Sequence, residues 1–218
     1  MWWVPAVVVS SYIVKKVVDA KTRKSFIPPK STVEKNFERL HEKLSTDSYK
    51  KITIIGQPGA GKSTLIHKVT NGKCIPKPTI GIGTDATDWS DNLDVPLYHT
   101  YKGVRFIDTP GYNTAKHPVA SFAIFYPFEM MDYTVLVING KIHQADQDIF
   151  QSCYHSMSQG KLIVIRSFVD SMEESDRKTI KKDFEDKFSL AAYNIPLLFI
   201  SNRTNEGIEQ VRKVLKLN

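Results

Sequence analysis

Apolar residues recur at Val33, Phe37, Leu40 and Leu44, which are positions i, i+4, i+7 and i+11 of an otherwise charged segment. That spacing predicts one amphipathic helix with a single buried stripe. Ser31 and Glu34 stand at capping-box spacing at its start, and Pro28-Pro29 break the chain just upstream. The stripe is expected to pack on the domain that follows, although a partner helix could use it. Beyond residue 50 the pattern shifts to short apolar runs rich in β-branched residues, near 51–55, 95–101, 103–108, 133–139, 161–166 and 197–201. Such runs predict strands buried on both faces of a sheet. Helices are expected after the second and third of them, after the first run from residue 64, and at the end over 206–217, where Ile208, Val211 and Leu215 are apolar. The fold class this implies is α/β, a doubly wound, six-stranded, mostly parallel sheet with helices on both faces.

Residues 1–14 follow neither pattern. They carry no charge, begin with Trp2 and Trp3, and are followed at once by Lys15 and Lys16. Fourteen residues fall short of a spanning helix, and a basic start and small-residue cleavage site are missing. Three readings stand: an apolar element docked on the protein's own core, a contact with a membrane surface or protein partner through residues 1–27, and a short signal-anchor that leaves Lys15 and Lys16 cytoplasmic. The chain divides into an N-terminal appendage, 1–48, and a main domain, 49–218.

Charge sharpens this division. Of 30 Lys and Arg against 23 Asp and Glu, residues 1–50 hold ten and five, 51–202 hold sixteen of each, and 203–218 hold four and two. The central block, 51–202, is therefore neutral, unlike a uniformly basic nucleic-acid binder, and DNA is not an expected partner. A basic arm that meets a membrane, an acidic partner or RNA remains open. Cys74 and Cys153 have no partner spacing, which excludes a disulfide scaffold or cysteine zinc site and fits a cytoplasmic protein, peripheral at a membrane if residues 1–27 bind one.

The first run leads into Gly56-Gln57-Pro58-Gly59-Ala60-Gly61-Lys62-Ser63 and a helical stretch from Thr64. G-x-x-x-x-G-K-[ST] between strand and helix is a phosphate loop. Glycines let backbone N–H groups wrap phosphates, and the helix N-terminus adds positive potential. Lys62 reaches the β- and γ-phosphates and the Ser63 hydroxyl ligates Mg²⁺. Gly56, Gly59, Ala60, Gly61, Lys62, Ser63 and Thr64 form the expected phosphate-binding set.

A second signal selects the class. The strand over 104–107 ends in Asp108-Thr109-Pro110-Gly111. D-x-x-G after a strand is a guanine-nucleotide switch pattern, with Asp108 on Mg²⁺ through water and the Gly111 amide at the γ-phosphate. Here the chain resembles the P-loop GTPases, most closely the Era/TrmE side of that superfamily. Between the two signals, 73–91 should be the first switch and supply a threonine to the metal. Thr79, Thr84 and Thr87 are available; Thr84 is preferred, because Gly81 and Gly83 flank it and enough chain follows to reach the next strand.

The base loop is irregular. Where these GTPases carry N/T-K-x-D, this chain has Ser167-Phe168-Val169-Asp170. Asp170 keeps the carboxylate that accepts from guanine's ring N–H and amine, a site that rejects adenine because an unpaired buried carboxylate is costly. Ser167 can replace the threonine hydroxyl, and the Phe168 ring can cover a base face. Ser201-Asn202-Arg203 matches the family's S-A-K-type loop, with the Asn202 amide on the guanine carbonyl. Arg166 and Arg203 read as packing or rim charges. The resemblance spans about residues 50–218 and implies the P-loop NTPase G-domain fold, bound GTP or GDP, Mg²⁺, and GTP hydrolysis in which Lys62, Thr84 and Gly111 act and Ser63, Thr84 and Asp108 hold the metal. Residues 164–171 and 131–138 also look like the immunity-related GTPases, although these 218 residues do not include that family's long C-terminal helical domain and its assembly mechanism is not carried over.

Catalysis should depart from the Ras pattern. Tyr112 stands where Ras-like proteins place a water-positioning glutamine, and Gly59 where potassium-dependent relatives carry asparagine. Asn113, Lys116 and His117 are expected to be exposed switch residues. The expectation is a molecular switch with slow intrinsic hydrolysis, accelerated by a homodimer through the nucleotide face or by a partner. A dimerising nucleotide-binding scaffold with negligible turnover competes with it. An ATP-binding enzyme is opposed by Asp170 and the DTPG turn, and an RNA- or ribosome-associated role has no visible RNA-binding motif.

Overall fold

Alternation along the central strands sets the architecture seen in the computed structural model, which describes residues 29–81, 87–157 and 161–217. Six strands lie in one sheet: β1 (Lys50–Gly56), β2 (His99–Tyr101), β3 (Val104–Asp108), β4 (Tyr133–Ile138), β5 (Lys161–Arg166) and β6 (Leu197–Phe199). Their spatial order is β2-β3-β1-β4-β5-β6, with β2 antiparallel to β3 and every other pair parallel. Successive side chains point to opposite faces. Ile52 and Ile54 of β1, Val135 and Val137 of β4, and Ile163 and Ile165 of β5 enter one apolar layer. Ile55, Leu136, Ile138, Leu162 and Val164 enter the other. Both faces are covered, which explains why these strands read as unbroken apolar runs.

The first layer is closed by α2 (Lys62–Val69) and α6 (Ile208–Val214), through Leu65, Ile66, Val69, Ile208 and Val211. The second is closed by α1 (Thr32–Ser45), α3 (Val119–Phe125), α4 (Gln144–Ser156) and α5 (Glu174–Phe188). The doubly wound sheet is as the sequence implies. The capping box of α1 forms as its spacing predicts: Glu34 N–H donates to Ser31 Oγ at 3.2 Å and Ser31 N–H to Glu34 Oε2 at 3.1 Å. Val33, Phe37, Leu40 and Leu44 are all buried, each contributing of order 1.5–3 kcal/mol before ordering costs. Residues from Ser31 onward form one compact unit, so α1, placed in the appendage by the sequence pattern, is built into the main domain.

Four expected elements differ. No helix follows β2, because Lys102 and Gly103 take positive φ of 44° and 75° and turn the chain straight into antiparallel β3, the geometry of a tight hairpin. The strand expected from 95 starts only at His99; Pro96 just upstream has no N–H to donate. The last strand and the closing helix are both shorter than expected. The expectations for residues 1–27 lie outside the described residues. Among the described residues, no helix is long and apolar enough to cross a membrane. Cys74 and Cys153 are buried and not disulfide-bonded.

Candidate functional site

The carboxyl ends of β1, β3, β5 and β6 bring the predicted motifs to one edge of the sheet, where doubly wound folds bind ligands. The phosphate loop runs from Gly56, the last residue of β1, to Lys62, the first of α2. Gly61 caps that helix at φ 90°, and a Cβ there would lie 2.7 Å from Asn202 Nδ2. A Cβ on Gly111 would lie 2.5 Å from the Pro58 nitrogen. Only glycine lets the DTPG turn come this close to the phosphate loop.

Lys62 is buried, and its Nζ donates to the Gly56 and Gln57 carbonyls at 3.0 and 3.2 Å. The ammonium thus lies across the loop that its backbone encloses. Ser63 Oγ donates to Asp108 Oδ2 at 2.6 Å. Thr87 Oγ1 donates to the same oxygen at 3.1 Å. Thr84 lies outside the described residues, and Thr79 is exposed. Of the two described threonines of this segment that the sequence left open, Thr87 is the one at the phosphate side.

Asp108 is buried, and its Oδ1 has no hydrogen-bond partner among the described residues. Burial pushes its pKa up, against the Ser63 bond, the charges of Lys62 and His99, and the Thr87 bond. An orphaned carboxylate oxygen beside two hydroxyls is an all-oxygen donor set, the chemistry that suits Mg²⁺. The described residues contain no cluster of three or more His, Cys, Asp or Glu, so this mixed hydroxyl–carboxylate group is the candidate cation site.

Tyr112, next to Gly111, is fully buried. Its hydroxyl donates to Asp146 Oδ1, which also accepts from Gln57 Nε2 at 2.9 Å. Asp146 Oδ2 accepts the His143 N–H at 2.7 Å, as the third residue of the α4 capping box. Burial first, and the Asp146 charge and hydrogen bond next, push the phenol pKa far up. The tyrosine therefore joins the DTPG turn to the phosphate loop and α4. Beyond it, Asn113 and Lys116 are exposed as expected, but His117 is buried. Its Nε2 accepts the Trp89 N–H at 3.3 Å, while Lys116 Nζ pairs with Asp88 at 2.9 Å and Asp91 at 3.1 Å.

The base loop follows β5. Ser167 is fully buried and donates to the Ala60 carbonyl at 3.0 Å, tying the base loop to the phosphate loop. Phe168 takes a left-handed backbone, φ 57°, and leaves its ring half exposed beside Gly61. Asp170 accepts from Ser201 Oγ at 2.8 Å and pairs with Arg203 Nη2 at 2.6 Å. The Ser201 hydrogen bond is the main cause holding the Asp170 pKa below its ordinary value, and Arg203 adds to it. Both carboxylate oxygens thus have partners, Oδ1 in Ser201 and Oδ2 in Arg203. Asn202 donates from Nδ2 to the Gly61 carbonyl at 3.2 Å. Arg166 is buried on the Ser167 carbonyl, a packing charge, and the Arg203 side chain is a rim charge at 76% exposure.

The structure thus gathers Gly56, Gly61, Lys62, Ser63, Asp108, Gly111, Asp170, Ser201 and Asn202 at one edge. Sequence reasoning missed Gln57, Asp146 and Asn36. Asn36 left a readable signal, a polar residue on the stripe between Val33 and Phe37; Asp146 left none.

A family described as 50S ribosome-binding GTPase matches residues 51–167. Among curated relatives, GTPase Der of Buchnera aphidicola subsp. Schizaphis graminum is 27% identical over 189 residues, covering 83% of this chain and 40% of the relative. The tRNA modification GTPase MnmE of Christiangramia forsetii is 24% identical over 212 residues, covering 91% and 44%. The chain thus spans less than half the length of these relatives. Among solved structures, a probable GTP-binding protein EngB aligns with a TM-score of 0.52 at 20% identity, over 77% of this chain and 99% of that one. A bacterial selenocysteine-specific elongation factor aligns at 0.53 and 18% identity, over 77% and 28%. These two likenesses establish the fold. Because the family match takes in more than half of the chain, from the first strand through the opening of the base loop, this protein belongs to the 50S ribosome-binding GTPase family, on the Era/TrmE side of the P-loop GTPases.

Proposed function

We propose that this chain is a molecular switch that cleaves GTP to GDP slowly by itself and faster on self-association or on meeting a partner. The observation that carries the reading is the fate of Tyr112. The side chain at the water-positioning place is fully buried and bonded to Asp146, so it does not face an attacking water.

The remaining machinery supports phosphoryl transfer by positioning and electrostatics. The backbone of 56–63 cradles the phosphates. Lys62 places its ammonium on the β- and γ-phosphate oxygens. Ser63, Asp108 and Thr87 hold the metal side, Thr87 taking the role that the sequence pattern assigned to Thr84. Mg²⁺ held by these three residues would supply neutralisation of the charge on the phosphate oxygens. The Gly111 amide contacts the γ-phosphate and registers its loss. Asp170 accepts guanine's two N–H donors, Phe168 covers the base, and the Asn202 backbone N–H meets the carbonyl. Water attacks the γ-phosphorus in line as the bond to the β–γ bridging oxygen breaks, giving GDP and phosphate.

The test is multiple-turnover GTP hydrolysis over a protein-concentration series, with bound nucleotide identified by chromatography and Lys62→Ala as control. Specific activity that rises with concentration supports self-activation through the nucleotide face. A slow rate that stays flat supports a switch awaiting a partner. No turnover with tightly held guanine nucleotide supports the second reading, a dimerising scaffold, which the buried Tyr112 also favours. Preference for adenine nucleotide refutes both. The proposal places this domain in the cytoplasm with residues 1–27 addressed to a membrane surface or protein partner; co-sedimentation with anionic and neutral vesicles tests that part.

A further inference from the structure

The stretch that carries Thr87 is held from three sides. Thr87 Oγ1 reaches Asp108. Two residues on, Trp89 is buried and its N–H donates to His117, on the loop beyond the DTPG turn. From the far side, Asn36 of α1 donates through Nδ2 to the carbonyls of Trp89 at 2.8 Å and Asn92 at 2.9 Å. Asn36 is completely buried, and its Oδ1 accepts from Arg39 Nη1 at 2.6 Å. Both amide hydrogens are therefore spent on this stretch. The neighbouring Phe37 ring meets Trp89 edge-on at 5.9 Å, Phe122 of α3 at 5.1 Å and Tyr126 at 5.4 Å. Phe122 in turn meets Tyr112 at 6.3 Å.

A helix whose apolar stripe contains a fully buried amide pays a desolvation cost unless that amide has partners. Here the partners are main-chain carbonyls three residues apart, so the amide fixes the path of 89–92. Two residues of extended chain span at most about 7 Å, so fixing the Trp89 carbonyl also confines Thr87. One helix thus touches both segments that respond to the γ-phosphate: the stretch after Thr87, through Asn36, and the stretch after Gly111, through Phe37 and Phe122.

We propose that α1 is the arm through which the nucleotide state is read, with Asn36 and Phe37 as positioning residues that seat Thr87 at the phosphate side in the triphosphate state. This rests on the GTPase reading above. If Thr87 is engaged with the triphosphate and released with GDP, the tether bears on GTP alone. By linkage, whatever α1 adds to GTP binding, GTP returns as order in α1.

The experiment uses the full chain and two fluorescent nucleotides, a GDP derivative and a non-hydrolysable GTP derivative. Asn36→Ala is expected to weaken the GTP analogue about tenfold, the worth of one to two lost hydrogen bonds, with GDP affinity changed less than about twofold. Phe37→Leu, which keeps most of the apolar volume, should shift the same ratio in the same direction, and serves if Asn36→Ala does not fold. In the wild-type chain, backbone amides of 32–45 should exchange hydrogen more slowly with the GTP analogue than with GDP, and the difference should vanish in Asn36→Ala. A merely structural role would lower stability and both affinities together. Equal losses for the two nucleotides, no loss, or α1 exchange indifferent to the nucleotide overturns the proposal while leaving the GTPase reading intact. A wild-type chain that binds neither nucleotide overturns that reading and this one with it.

Discussion

Tyr112→Phe separates a structural tyrosine from a catalytic one. The substitution removes one oxygen and leaves the ring in place against Phe122, so no cavity opens. What is lost is a hydrogen bond from a buried phenol to the Asp146 carboxylate. Bonds to charged groups contribute about 1.5–3 kcal/mol. Asp146 retains Gln57 Nε2 at 2.9 Å on the same oxygen and the His143 N–H at 2.7 Å on the other, which places the expected cost at the low end, about 1.5–2 kcal/mol. In a chain of 218 residues each kcal/mol moves the melting temperature by about 2–4 °C, so the GDP-bound variant should melt about 3–8 °C lower. GTP turnover per folded molecule should stay within about twofold, since a buried hydroxyl positions no water. The assay pairs calorimetric melting with single-turnover hydrolysis at a temperature where both proteins are folded. Unchanged melting together with a tenfold loss of turnover would refute the burial reading, because it would mean that the phenol swings out to the nucleotide.

Three further outcomes are expected. Lys62→Ala removes a buried cation aimed into the phosphate loop, and GTP binding measured by titration should weaken by about 2–5 kcal/mol; binding within threefold of wild type would show that the loop does not cradle phosphate. Asp170→Asn exchanges two acceptor oxygens for one acceptor and one donor, so GTP affinity should fall by about a hundredfold or more. Xanthosine triphosphate, with a carbonyl where guanine has its amine, should lose less; parallel losses for the two would remove Asp170 from the base site. Asp47→Asn tests an ion pair that fixes the chain between α1 and β1. Burial raises the Asp47 pKa, but the hydrogen bonds from Arg105 and the Tyr49 N–H and the charges of Arg105 and Lys51 outweigh it, leaving it below its ordinary value. A carboxyl that titrates lower when folded contributes stability in full above its unfolded pKa and loses it as the pH falls through the folded one. The stability gap between wild type and variant in urea titrations should therefore be full at pH 5–7 and shrink below about pH 4; a gap that is constant down to pH 3 would contradict the assignment.

Local motifs were legible in this sequence because their chemistry is local. Gly56 through Ser63 form one turn between β1 and α2, and spacing alone places their backbone. The Asp108–Gly111 turn is legible for the same reason. Which threonine of this segment meets Asp108 was not, since Thr79, Thr84 and Thr87 sit on a stretch with no periodic pattern; packing brings Thr87 to Asp108, and Thr84 lies outside the described residues. The Tyr112 substitution was visible as a departure from the Ras pattern, but the burial that explains it depends on Asp146, 34 residues away. The capping-box spacing of His143 and Asp146 announces a helix start and says nothing of a phenol. Likewise the stripe of α1 announced burial without saying what covers it. His117 reads as one more polar residue of an exposed loop until Trp89 and Asp88 are seen against it.

The two apolar layers divide the work of the domain. Leu65, Ile66 and Val69 of α2 share their layer with α6 and with β-strand residues, and with none of Trp89, Tyr112 or Phe122. Those three belong to the opposite layer, together with α1, α4 and α5. Under the proposed function, nucleotide affinity would draw on one set of contacts: Lys62 starts α2, Ser167 is tied to Ala60, and Asp170 is braced by Ser201. State sensing would draw on another, where Asn36, Phe37, Tyr112 and His117 link the stretches after Thr87 and Gly111 to the packed helices. Packed side chains switch between discrete arrangements rather than deforming continuously. Under the proposed switch, a small shift at Thr87 or Gly111 would have an exit route through Trp89 and Phe122 into α1. That separation would let a single domain keep its hold on GDP while reporting the loss of GTP.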